Sequence, residues 1–257
     1  MDKLQVVKIG GNVIENQETL FDFLKDFSSI KGRKILVHGG GKEATRMANK
    51  LGVAIKLIEG RRVTNADNLE IITMLYAGKL NKNIVAQLQA FGCNSLGLCG
   101  ADGNSILAKK RPVKPIDFGF VGDLKEVNQA LLNLLLKEGF SPVFCALSHD
   151  GKGQLLNTNA DTIAATLAAA MTSHYEVHLN YCFEKNGVLK DLSEDDSFIP
   201  SINKEEFKKL KSDGTIHDGM LPKLKNCFTA LEKGVKFIKI GNPKMITETG
   251  TYTQITN

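Results

Sequence analysis

The chain has 257 residues, 42% of them hydrophobic and 24% charged, with a formal net charge of +5. These values suit one large α/β domain, or two lobes sharing a sheet, with ample material for a core. There is no Trp and no Lys/Arg stripe interleaved with aromatics, which disfavours nucleic-acid binding. No apolar stretch approaches membrane-spanning length; "ALLNLLLKEGF" (130 to 140) is broken by Lys137 and Glu138.

Strand and helix signals alternate along the chain. "LQVVKIGG" (4 to 11) is a buried strand carrying Lys8 and ending in Gly10 and Gly11. Leu20, Phe21, Leu24 and Phe27 recur at helical intervals and predict a helix over 18 to 30. "KILVHGGG" (34 to 41) is a second glycine-ended strand, followed by a helix over 42 to 52 that Gly52 stops. One long helix is expected from about Ala66 to Phe91, then a strand over 94 to 100. The Gly-, Asp- and Pro-rich region 101 to 126 reads as short antiparallel strands. A helix over 127 to 138, a buried strand over 141 to 148 and an alanine-rich helix over 159 to 171 follow. After a soft boundary near 172 to 175 come a strand (175 to 181), helices near 204 to 212 and 219 to 233, and a strand (236 to 241). "GTYTQI" (250 to 255) alternates like an edge strand. Such alternation implies a mainly parallel sheet covered on both faces, with ligands at the carboxyl ends of its strands.

A charge inside a strand is costly unless paired, so Lys8 calls for a partner. Gly10-Gly11 and Gly39-Gly40-Gly41 can let an anion approach main-chain N–H groups, or can simply form tight turns. Walker A is absent, because Glu43 follows Gly41-Lys42. "GGGKEA" (39 to 44) fits the loose dinucleotide pattern, with Glu59 near the acidic position, yet it follows the second strand rather than the first. Arg62, beside Arg61, offers a fork suited to a carboxylate, or forms a solvated pair with it. Thr-Asn-Ala-Asp occurs twice, at 64 to 67 and 158 to 161, and Thr158-x-x-Asp161 reads as a capping box. Asp218 is a candidate cap for the helix carrying Lys223, whose charge opposes the helix dipole there. Together, Lys8 and Lys223 suit the neutralisation of a transferring phosphoryl group, Asp161 would hold both, and Arg62 with Asn157 would hold an acceptor carboxylate.

"VKIGGN" (7 to 12), "VHGGGKE" (37 to 43), "GRRVTNAD" (60 to 67), "LCGADGN" (98 to 104), "GQLLNTNADTIAA" (153 to 165) and "IHDGMLPKL" (216 to 224) carry a further signal. In order and spacing they resemble the amino-acid kinase family, in its branch acting on N-acylglutamate. The resemblance implies an open αβα sandwich around a mainly parallel sheet, the carbamate kinase-like fold. It implies an acylglutamate-binding lobe (1–173) and an ATP-binding lobe (174–257). It implies phosphorylation of the γ-carboxylate of N-acetyl-L-glutamate by MgATP, the second step of arginine biosynthesis, with the metal held by the nucleotide phosphates and no protein metal site. Lys8, Lys223 and Asp161 would be catalytic. Gly40, Gly41, Arg62 and Asn157 would bind the acylglutamate, with Gly10, Gly11 and Gly39 along the phosphate path.

The chain departs from the family pattern at Arg61, usually apolar, and at Lys42-Glu43, usually of Pro-Gln type. Arg61 and Lys42 therefore raise N-succinyl-L-glutamate as an alternative acceptor. "NYCFEKNGVL" (180 to 189) replaces a nucleotide-lobe segment. The first strand opens the chain, which by the resemblance points to an arginine-insensitive homodimer. The rival readings are a kinase acting on carbamate, aspartate, glutamate or UMP, a non-catalytic sensor of ATP or acylglutamate, and a nicotinamide-dependent oxidoreductase. Five scattered cysteines without a C-x-x-C pair, and no signal peptide, lead us to expect a cytoplasmic protein.

Overall fold

The computed structural model describes every residue except Glu59, His217, Asp218 and Glu248. Glu59 as an acidic partner and Asp218 as a cap therefore lie outside the described residues. The chain packs as two compact units, residues 1–34 with 164–257, and residues 35–163. The first 34 residues thus pack with the C-terminal part, and the chain returns to them within the alanine-rich helix. Compact packing does not follow the expected linear division at 173/174, which remains a reading of function.

In the first unit five strands stand in the order Ser201–Ile202, Tyr252–Ile255, Phe237–Gly241, Glu176–Cys182, Lys3–Ile9. All pairs are parallel except Phe237–Gly241 with Tyr252–Ile255. Leu4, Val6, Val7 and Ile9 are all fully buried, as a strand covered on both faces requires. Tyr252–Ile255 is not an edge, because Ser201–Ile202 pairs on its outer side. Its alternation reflects which face is buried, Thr253 and Ile255 inward, and not an edge position. Asn16 caps the helix Gln17–Ser29, whose Phe23, Leu24 and Phe27 face the core.

The strand Arg33–His38, which enters the second unit at Ile35, forms a parallel array with Ser141–Cys145 and Ser95–Leu98, in that order. A mixed four-stranded sheet stands beside a two-stranded hairpin, Lys56–Ile58 with Arg61–Val63. The apolar run over 141 to 148 is two strands. Ser141–Cys145 stays in the parallel array and Leu147–His149 joins the mixed sheet. Ile106–Lys110 and Gly122–Val127 pair antiparallel, as the turn-rich composition predicts. The long helix is three pieces: Ala66–Thr73, a wider π-helical stretch Met74–Leu80, and Asn81–Ala90. Apolar periodicity does not distinguish a π stretch from the α-helices around it.

Candidate active site

In the first unit, Lys8 stands one residue before the end of its strand, with Tyr181 as its register partner. It is half-buried between the fully buried Val7 and Ile9. The Gly10 N–H donates to Cys182 O at 2.8 Å, one more rung of the ladder. Gly10 therefore does not offer that N–H to a ligand. Its lack of a side chain matters more: a Cβ would stand 3.3 Å from Cys182 O and from Phe183 Cβ. Gly11 opens the short helix Gly11–Glu15.

Lys223 lies in the opening turn of Met220–Glu232, where the helix dipole disfavours a cation. Its Nζ sits 5.1 Å from the Tyr181 ring centroid and 5.8 Å from that of Phe183. Cation–π attraction, about 0.5–1 kcal/mol at a partly exposed site, offsets a dipole cost of similar size. Both lysines bear on the Cys182 thiol and would lower its pKa, but complete burial outweighs them and pushes it up. Lys8 and Lys223 thus gather at the same strand ends, beside a thiol that stays protonated.

In the second unit the N-termini of Gly41–Lys50, Ala66–Thr73 and Ala160–Ala170 are drawn together. Arg62 links the first two. Its Nη2 donates to Gly41 O at 2.9 Å and to Thr45 Oγ1 at 2.6 Å, and its Nη1 approaches Asn68 Oδ1 at 3.4 Å. Asn157 links the second and third: Nδ2 donates to Thr64 Oγ1 at 3.0 Å. A strap, Phe118-Gly119-Phe120, runs between them. Thr64 N donates to Phe118 O, Phe120 N to Thr64 O, and Asn157 N to Phe120 O. Gly119 is required there, since φ is +70° and a Cβ would collide with Thr64 O. Gly39 touches the third helix, a Cβ there lying 3.7 Å from Ala160 Cβ.

The capping box expected at Thr158-x-x-Asp161 is not the one used. Asn159 Oδ1 accepts from Thr162 N at 3.1 Å, and Asn65 does the same for Asn68 N at 2.9 Å. In both copies the asparagine caps, and the preceding threonine is buried. Thr158 Oγ1 meets Ser148 Oγ at 2.7 Å, and Thr64 meets Asn157. Asp161 lies in the first turn of its helix, with Oδ1 shut away from solvent.

Arg61 and Lys42 are exposed. Arg61 and Arg62 are successive residues of a strand, so their side chains leave on opposite faces. Glu43 is engaged by Lys79 and Arg46, whose hydrogen bonds hold its carboxyl below the usual range. Of the expected site residues, Lys8, Gly10, Gly11 and Lys223 belong to one unit. Gly39, Gly40, Gly41, Arg62, Asn157 and Asp161 belong to the other, with Arg61 and Lys42.

Sequence reasoning passed over two features of the glycine loop. His38 is completely buried, with Nδ1 2.8 Å from Gly39 O and Nε2 3.1 Å from Asn81 Nδ2. Asn81 Nδ2 also donates to Val143 O, so the ring Nε2 accepts and Nδ1–H donates to the loop. A polar residue in a buried strand was the available signal. Tyr76 and Leu80, from the π stretch, pack onto Gly40, and a Cβ there would meet Leu80 Cδ1 at 2.5 Å and Tyr76 Cε1 at 2.7 Å. Nothing in the local sequence announces that contact.

A family model, the Amino acid kinase family, matches residues 3–242. The chain belongs to the amino acid kinase family. It is 52% identical over 247 residues to an acetylglutamate kinase of Phocaeicola vulgatus, covering 96% of each chain. It is also 52% identical over 239 residues to an acetylglutamate kinase of Bacteroides thetaiotaomicron, covering 93% of each. Among solved structures it is similar to smu.665 from Streptococcus mutans UA159, with TM-score 0.82, 24% identity and 98% of each chain covered. The α/β fold with its mainly parallel strands is the one expected of an amino acid kinase. As a member of that family the protein is a phosphotransferase with ATP as a substrate. Among the described residues, no group of three or more His, Cys, Asp or Glu could hold a metal ion, and no helix is long and apolar enough to cross a membrane.

Proposed function

We propose that this kinase transfers the γ-phosphoryl group of ATP to the γ-carboxylate of N-acetyl-L-glutamate, giving the acyl phosphate and ADP in the second step of arginine biosynthesis. The observation that carries the reading is 52% identity to an acetylglutamate kinase over 96% of both chains. Magnesium enters with ATP, as part of the substrate.

The acceptor carboxylate is itself the nucleophile, so no general base is needed and catalysis rests on positioning and charge neutralisation. Lys8 and Lys223 neutralise the charge that grows on the transferring group, a role supported by their gathering near Cys182. Asp161 organises the two ammonium groups. Arg62 and Asn157 hold the acylglutamate with Gly40 and Gly41, supported by the bonds that draw their helix N-termini together. Gly11 and Gly39 line the phosphate path, and Gly10 keeps it clear by lacking a side chain. The acyl phosphate product is prone to hydrolysis, so the reaction calls for exclusion of water.

Succinyl as the acyl group is not favoured, because Arg61 and Lys42 are exposed and Arg61 leaves its strand opposite Arg62. A coupled ADP-release assay with MgATP tests the reading, using N-acetyl-L-glutamate, N-succinyl-L-glutamate and free glutamate side by side. We expect turnover with the acetyl compound. Preference for succinyl would move the assignment to that acceptor, and binding without turnover would make the protein a sensor. We further propose a cytoplasmic homodimer, in keeping with five free cysteines and the family resemblance. Light scattering with and without arginine tests the assembly.

A further inference from the structure

Tyr76 is 5% exposed and stands in the π-helical stretch. A π turn takes one more residue per hydrogen bond than an α turn, and this changes which side chains face a neighbouring element. Here it presents Tyr76 and Leu80 to the glycine loop. The ring of Tyr76 lies on Gly40, and its hydroxyl lies 3.8 Å from where a Cβ of Gly41 would stand. Gly41 is the first residue of the helix Gly41–Lys50, and its carbonyl is held by Arg62. Among the described residues, no hydrogen bond reaches the Tyr76 hydroxyl. The side chain is packed, yet the hydroxyl oxygen is not shut away from solvent, so it stands free to meet a ligand at the loop.

We propose that Tyr76 contacts the substrate and sets its specificity, its hydroxyl donating a hydrogen bond to a carboxylate of the acylglutamate bound at the N-terminus of helix Gly41–Lys50. The inference rests on the function proposed above. The groups converging there are donors: the Arg62 guanidinium, the opening N–H groups of the helix and the phenol. An anion accepts from all three, whereas a neutral amide carbonyl would leave the guanidinium charge unmatched. Burial pushes the phenol pKa up to about 12 although Arg62 opposes it, so the hydroxyl keeps its proton and acts as a donor.

Tyr76→Phe keeps the ring on Gly40 and removes only the hydroxyl. The measurement is ADP release with MgATP and N-acetyl-L-glutamate, with thermal melting of the ligand-free protein alongside. We expect KM for N-acetyl-L-glutamate to rise roughly 10- to 100-fold, as for loss of a hydrogen bond to a charged group. KM for ATP should be unchanged, and the ligand-free melting temperature unchanged or higher. An unchanged KM for N-acetyl-L-glutamate overturns the inference. So does a lower melting temperature without ligand, because the hydroxyl would then serve the fold. If the wild-type protein does not turn over N-acetyl-L-glutamate, the functional reading fails in its own arm and takes the inference with it.

Discussion

Asn157 Nδ2 donates a hydrogen bond to Thr64 Oγ1 at 3.0 Å, tying the residue just before the second Thr-Asn-Ala-Asp to the first residue of the first copy, 93 positions away. Thr64 is completely buried, so this bond replaces water that the hydroxyl cannot reach. The asparagine side chain is thereby oriented before any ligand arrives. Asn157→Ala should raise KM for N-acetyl-L-glutamate roughly tenfold and cost about 1 kcal/mol of stability. Titration calorimetry and denaturant unfolding check the two effects separately. Lost stability with unchanged affinity would reduce Asn157 to a structural tie.

Lys8→Ala and Lys223→Ala should each lower kcat by roughly 10²–10³, the usual loss when a transition-state donor is removed. Acylglutamate KM should stay nearly constant. Arg62→Ala should do the reverse and act mainly on KM. Steady-state kinetics on the three variants separates these roles, and full activity in either lysine variant removes that lysine from the mechanism.

Gly40→Ala puts a methyl group within 2.5 Å of Leu80 Cδ1 and 2.7 Å of Tyr76 Cε1. Tyr76 is buried and has little room to retreat, so we expect a loss of about 1–3 kcal/mol, typical of overpacking. Gly52→Ala is the contrast, with nothing within 4 Å but φ at +69°. Its cost is backbone strain of about 1 kcal/mol, with no effect on the acylglutamate site. Urea unfolding and KM of both variants check the pair, and equal KM shifts would refute the packing argument.

Burial pushes the His38 pKa from 6.5 down to about 4. Between these values the unfolded chain binds a proton that the native protein does not, so stability falls as pH drops. The contribution is whole above about pH 6.5 and is lost progressively toward pH 4, by about 3 kcal/mol in all. Denaturant unfolding at pH 7 and pH 5 should show most of the change, and His38→Gln should flatten it. A variant with the wild-type slope would place the pH dependence elsewhere.

Most strands and helices were legible locally because each is decided by a period of hydrophobicity and by its stop signals. Lys3–Ile9, Gln17–Ser29, Gly41–Lys50 and Glu176–Cys182 lie within a residue or two of their predicted bounds. Local pattern also marked Lys8, the glycine loop, Arg62, Asn157 and Lys223, because a charge or glycine at a strand end or helix start runs against local preference. The cap was a closer contest. Threonine and asparagine stand side by side in Thr-Asn-Ala-Asp and both can cap. Asparagine takes the role because distant groups, Asn157 and Ser148, satisfy the two threonine hydroxyls.

By itself, then, the sequence determined the order of elements and the types of side chain at their ends, since both depend on near neighbours along the chain. The tertiary structure alone decided what those side chains meet. It put Tyr76 against Gly40, the Tyr181 ring beneath Lys223 and Asn81 on His38, and it grouped the first 34 residues with the C-terminal part. Contacts of this kind join residues far apart in the chain, and their energies come from burial and close approach, which no local pattern encodes.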